Sequence, residues 1–158
     1  MSKIQSLLDE YGESHQNATN KFIHWICVPA IFFSIVGLIW SIPNGLLVDA
    51  FGSTWYSNWA AVVLLLVFIY YFIMSIPLSI GMAAFGVACI GLANYLGNLE
   101  IAPLWLLSIV IFVVAWIGQF YGHHVEGKKP SFLKDVQFLL IGPAWLMHFI
   151  YKKIGIPY

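Results

Sequence analysis

Between Lys21 and Glu126 the sequence carries only two side-chain carboxylates or amines, Asp49 and Glu100. A water-facing domain carries about a quarter of its residues as charges, whereas here 9% are charged and 61% apolar. A stretch so poor in charge belongs in lipid. The chain is therefore read as an all-α integral membrane helical bundle, a single membrane-embedded domain over residues 1–158. Seven lysines balance seven acids, and Arg is absent, which excludes a nucleic-acid footprint and a polybasic arm. Cys27 and Cys89 both lie in apolar runs and read as small buried hydrophobes rather than a disulfide framework. The acidic opening residues Asp9, Glu10 and Glu13 do not fit a cleaved signal peptide.

A helix needs about 20 mainly apolar residues to cross a bilayer. Four runs qualify, at 24–42, 59–76, 78–97 and 103–121. Turn chemistry at Ser41-Ile42-Pro43-Asn44-Gly45 ends the first, and Ile76-Pro77 splits the second from the third. A fifth run, 136–151, is interrupted by Gly142-Pro143 and is expected to form re-entrant or interfacial C-terminal helices. At the other terminus, Ile4, Leu7, Leu8 and Tyr11 recur at helical spacing, predicting an amphipathic surface helix over 3–12 that stops at Gly12. Gly81, Gly86 and Gly91 in the third run are expected to let helices approach closely.

Four crossings place all seven lysines on one side and leave Asp49 and Glu100 on the other. By the positive-inside rule both termini then face the cytosol, from a bacterial inner membrane or the endoplasmic reticulum. The Asn17-Ala18-Thr19 sequon falls on the wrong side for glycosylation. An even number of crossings also brings the start of the first span and the end of the fourth to one surface. There His15, His24, His123 and His124 gather with Asn17, Asn20, Gln119 and Glu126.

Helical spacing sharpens this cluster. Asn20 and His24 are four apart, as are Gln119 and His123, while His123 and Glu126 are three apart, so each pair shares a face. His15 and His24 can reach one site only if the chain turns between them, and 17–20 offers a turn and N-cap. His124 points about 100° away from His123, which leaves His123 as the better candidate. Two or three neutral imidazoles, with or without a carboxylate, suit a non-haem Fe(II) centre with open positions. The same residues also suit interfacial side chains: His24 and His123 on headgroups, Glu126 paired with Lys128 or Lys129, Gln119 bridging helices. His148, beside Lys152 and Lys153, is read in that plainer way. Tryptophans near the span ends are assigned to the aromatic belts.

Two segments carry a resemblance: Tyr11-Gly-Glu-Ser-His15-Gln-Asn17-Ala-Thr-Asn20-Lys-Phe-Ile-His24-Trp-Ile-Cys-Val28-Pro29, and Gln119-Phe-Tyr-Gly122-His123-His-Val-Glu126-Gly-Lys-Lys-Pro130, followed by Gln137 and Gly142-Pro143. They resemble the Mpo-like membrane family, whose characterised fungal member is an Fe(II)-dependent dioxygenase that shortens 2-hydroxy fatty acids by one carbon. The resemblance implies a fold of this kind over the whole chain, Fe(2+) as cofactor, and a 2-hydroxy fatty acid and O2 as substrates. It also implies His15, His24 and His123 as metal ligands. Asn20, Gln119 and Glu126 are then expected to serve the chemistry by orienting them, with Glu126 open as a further ligand. The alternatives to this reading are a non-catalytic lipid-binding scaffold or permease and an intramembrane zinc hydrolase. The spans hold no ionisable carboxylate or amine to mark a transport path.

Overall fold

Seven helices follow one another in the computed structural model, which describes residues 3–99, 101–127 and 132–157. They are α1 (Lys3–Glu13), α2 (Ala18–Trp40), α3 (Gly45–Phe51), α4 (Trp59–Met74), α5 (Ile76–Asn98), α6 (Leu104–Glu126) and α7 (Phe132–Ile154). No strand occurs among the described residues. Glu100, Lys128 and Lys129, which entered the orientation argument, lie outside them.

Three helices, α2, α5 and α6, are each long and apolar enough to cross a membrane. The remaining expected crossing, α4, is a shorter apolar helix of 16 residues. Its end is set locally. Ser75 leaves the helical region (φ −165°, ψ 116°), and its hydroxyl accepts from Leu78 N at 3.3 Å to start α5, with Pro77 in the first turn where its missing N–H costs nothing.

The α2 and α6 helices run antiparallel at close range, Gly37 beside Ser108, Cys27 beside Gly118 and Asn20 beside Gly122. A Cβ added at Gly118 would stand 2.6 Å from Cys27 Sγ, and one at Gly122 would stand 2.5 Å from Asn20 Oδ1. Only glycine permits that approach. The four-residue spacing of Gly118 and Gly122 is the small-residue signature of tightly packed membrane helices. Of the glycines singled out in α5, Gly81 meets the expectation of close approach, since a Cβ there would stand 2.8 Å from Met147 Sδ and Tyr151 Oη of α7, whereas Gly86 would make only ordinary contact with Leu64 and Gly91 meets nothing.

On the other side of α2, α1 and α7 pack together through Ile4, Leu8 and Tyr11 against Ile141, Ala144 and Trp145. The amphipathic first helix is thus real, and its apolar stripe is spent on α7; it extends one residue past Gly12. Gly142-Pro143 does not divide the last helix, because α7 runs through Pro143 as one element of 23 residues. A proline leaves the preceding turn short of donors. The carbonyl that Pro143 leaves without its N–H is that of Leu139, and on the neighbouring Leu140 carbonyl the buried Tyr71 hydroxyl of α4 donates, tying α4 to this turn of α7. A second clasp, Tyr151 Oη to the Pro77 carbonyl at 2.6 Å, ties α7 to α5.

Candidate metal centre

The turn required between His15 and His24 is present. Asn17 takes an extended backbone (φ −68°, ψ 132°), and its Oδ1 accepts from Thr19 N at 2.8 Å and Asn20 N at 3.3 Å, capping α2. The chain leaves α1 at Glu13, and His15 N donates back to Gly12 O at 3.0 Å, so the His15 ring folds beneath the end of α1. There it stacks on Tyr11, centroids 4.2 Å apart and planes 11° from parallel, with Trp145 at 5.3 Å.

Ring nitrogens follow from their partners. His15 Nδ1 lies 2.6 Å from the Tyr11 carbonyl and His24 Nδ1 lies 2.9 Å from the Asn20 carbonyl. A carbonyl accepts only, so each Nδ1 carries the proton, and Nε2 carries the lone pair of a neutral imidazole. From α6, His123 completes the group, its centroid 5.4 Å from His15 and 5.1 Å from His24. One ligand atom from each of the three histidines lies within 4.8 Å of the other two. His15 and His24 are 2% and 1% exposed. Three neutral imidazoles, two with Nδ1 oriented by carbonyls, fit a first-row divalent cation that keeps positions open for other ligands.

The expected supporting residues are all adjacent, and their parts differ. The Asn20 main chain orients His24, while its Nδ2 donates to Glu126 Oε2 at 3.0 Å and to Ser14 O at 3.3 Å. Glu126 takes Gln16 N on Oε1 and Asn17 N on Oε2, both at 2.9 Å. With three N–H donors on its two oxygens, this carboxylate is an anchor. It binds the loop between two histidines to the helix that carries the third, and it lies outside the ligand group. Gln119, buried one turn before His123, lies beside His24. Gly127 closes α6 directly after Glu126 in the left-handed conformation (φ 72°), where its N–H bonds the His123 and His124 carbonyls.

His124 is exposed and outside the group. His148, expected at the headgroups, is instead buried against Phe149. Tyr11 and Trp145, given no role from sequence, form the wall behind His15. The Trp145 position carried no sequence signal, whereas the Gly118 and Gly122 spacing that sets the α2 to α6 distance could have been read.

An all-helical chain with apolar spans and three histidines converging where two of its helices end defines a class: membrane-type bundles with a metal-competent triad. The chain belongs to the Mpo1-like family, described as "2-hydroxy-palmitic acid dioxygenase Mpo1-like", which it matches over residues 1–154. Among curated proteins it is 29% identical over 154 residues to the 2-hydroxy-palmitic acid dioxygenase MPO1 of Saccharomyces cerevisiae, covering 96% of this chain and 82% of that one. No solved structure matches it.

Proposed function

We propose that the protein is a membrane-embedded, Fe(II)-dependent dioxygenase that shortens long-chain 2-hydroxy fatty acids by one carbon. The convergence of His15, His24 and His123, in a chain of this family, carries the reading. These three histidines would hold the metal, which when bound supplies Lewis acidity and a redox route to O2. The stoichiometry closes without an outside reductant. A 2-hydroxy acid and O2 give the acid one carbon shorter, CO2 and water. The C1–C2 bond breaks, C2 becomes the new carboxyl carbon, and the four electrons lost by C1 and C2 are taken up by the two oxygen atoms of O2.

The chain's own residues serve this reaction by placement. The Tyr11 and Asn20 carbonyls fix the neutral tautomers of His15 and His24, Glu126 fixes their loop to α6, and Tyr11 and Trp145 screen one flank of His15 from water. In the membrane, α4 completes an even set of crossings. The termini and the triad then lie on the lysine-rich, cytosolic side, where a fatty acid can present its head while its tail stays in lipid. Protein purified without oxygen should carry about one Fe(II) per chain and convert 2-hydroxypalmitic acid with O2 to the odd-chain acid, read by mass spectrometry. Undiminished turnover by metal-stripped protein would defeat this reading.

A further inference from the structure

Of the cavities lined by described residues, two bear on a fatty acid substrate. The larger, about 470 Å³, lies between α4 and α5 beneath α3, and neither a histidine nor a charged residue lines it. The smaller, about 220 Å³, opens between α1, the start of α2 and α7, and has His15 itself as a wall. His148, buried like His15, forms a second wall, and Lys21 stands across from them.

Lys21 is the only lysine lining this cleft, and among the described residues its ammonium makes no ion pair. It precedes His24 by three positions on α2, so the two side chains project to the same side of the helix. Asp9 and Glu13 line the α1 side, with Asp9 already accepting from Gln5 at 2.7 Å. Those two carboxylates repel an anion from α1 and direct it to the α2 wall. At its other margin the cleft is aromatic. Phe149 packs on Trp145 at 4.7 Å and on Trp25 at 6.3 Å, and Trp25 shares an outward face with Phe22 and Ile26, 40%, 66% and 58% exposed. Charge and imidazole thus sit at one end, and at the other an apolar margin faces where lipid would lie.

We propose that this cleft is the substrate port, and that Lys21 binds the carboxylate of a single-chain fatty acid whose tail leaves past Trp145 and Phe149. The inference rests on the reading of the centre as one that acts on a 2-hydroxy acid. A carboxylate seated on Lys21 brings the adjacent hydroxyl-bearing carbon toward the His15 wall. The larger cavity can take an acyl chain but offers nothing for its head.

The test uses the full-length, metal-loaded protein in lipid nanodiscs, with 2-hydroxypalmitic acid, its methyl ester, and a version of the acid bearing a diazirine close to the head. Cross-links should map to the Trp145 and Phe149 peptide. Lys21→Ala should weaken the Kd for the acid by roughly 10- to 100-fold, the range for losing a hydrogen bond to a charged group. Ester affinity and metal content should be unchanged, and Lys21→Arg should recover most of the acid binding. Cross-links in the α4 to α5 cavity, or equal losses for acid and ester, would overturn the port. Binding that depends on Lys21 without any turnover would leave the port standing and remove the reaction. Normal turnover with Kd and KM indifferent to Lys21→Ala would do the reverse.

Discussion

The α2–α6 pair and the α4–α5 hairpin are both antiparallel and apolar, yet they are built to different tolerances. Along α2 and α6, a Cβ added at Gly37, Gly118 or Gly122 would run into the side chains of Ser108, Cys27 or Asn20, and the seam carries buried Asn20, His24 and Gln119. Between α4 and α5, a Cβ added at Gly86 would stand an ordinary 3.4 Å from Leu64, and a cavity of about 470 Å³ remains. Small residues and hydrogen bonds fix a separation between helices, whereas loosely interleaved apolar side chains fix only their association. Chemistry that needs imidazoles a few ångströms apart sits where the separation is fixed. The hairpin supports from the side, through Tyr71 and the Pro77 carbonyl on α7.

Four measurements break or sharpen this contrast. The largest effect belongs to the triad: His24→Ala or His123→Ala should reduce bound iron to background and turnover by more than the roughly 100-fold ceiling expected for an orienting residue. Phe68→Ala in the hairpin cavity should leave both within about two-fold, since changes away from the site act only through stability. If hairpin and triad variants lose iron alike, the division of labour is wrong. Next comes Glu126→Gln, which replaces an acceptor of three N–H groups by a side chain with one carbonyl oxygen. Metal affinity should fall about 10- to 100-fold in a competition titration while the protein still folds.

Packing variants rank below these. Gly122→Ala drives a methyl group into Asn20 Oδ1 and should cost about 1–3 kcal/mol of stability, read in a denaturant titration. Gly91→Ala, with nothing within 4 Å, should be neutral or stabilising by up to about 1 kcal/mol, because alanine is the better helix former. Equal destabilisation of the two would erase the difference between the seams. Tyr71→Phe removes the hydrogen bond from α4 to the Leu140 carbonyl, costing about 0.5–1.5 kcal/mol. It should lower the melting temperature with metal content intact.

Local chemistry was legible from the residues alone. The Asn17 cap, the break at Ile76-Pro77 and the first amphipathic helix each depend on residues close together in the chain, and each is seen. What escaped depends on partners far along the chain. Gly142-Pro143 reads as a break, whereas α7 runs through it while packed against α1, α4 and α5. Glu126 reads as an orienting residue, a ligand or a lysine partner, and the backbone N–H groups of Gln16 and Asn17 on its oxygens come from a segment more than a hundred residues away. His148 reads as a headgroup-facing side chain, whereas with α1 packed on α7 it is buried. Family resemblance supplied His15, which spacing only permitted.

The loop knotted to Glu126 has a consequence for biogenesis. Two imidazoles emerge early from the ribosome, but the third arrives only after the whole α4–α5 hairpin has been made, and no shorter nascent chain can close the ring of nitrogens. Under the proposed function, the three imidazoles can hold a metal together only once α6 has been made, so loading follows synthesis of the spans before it.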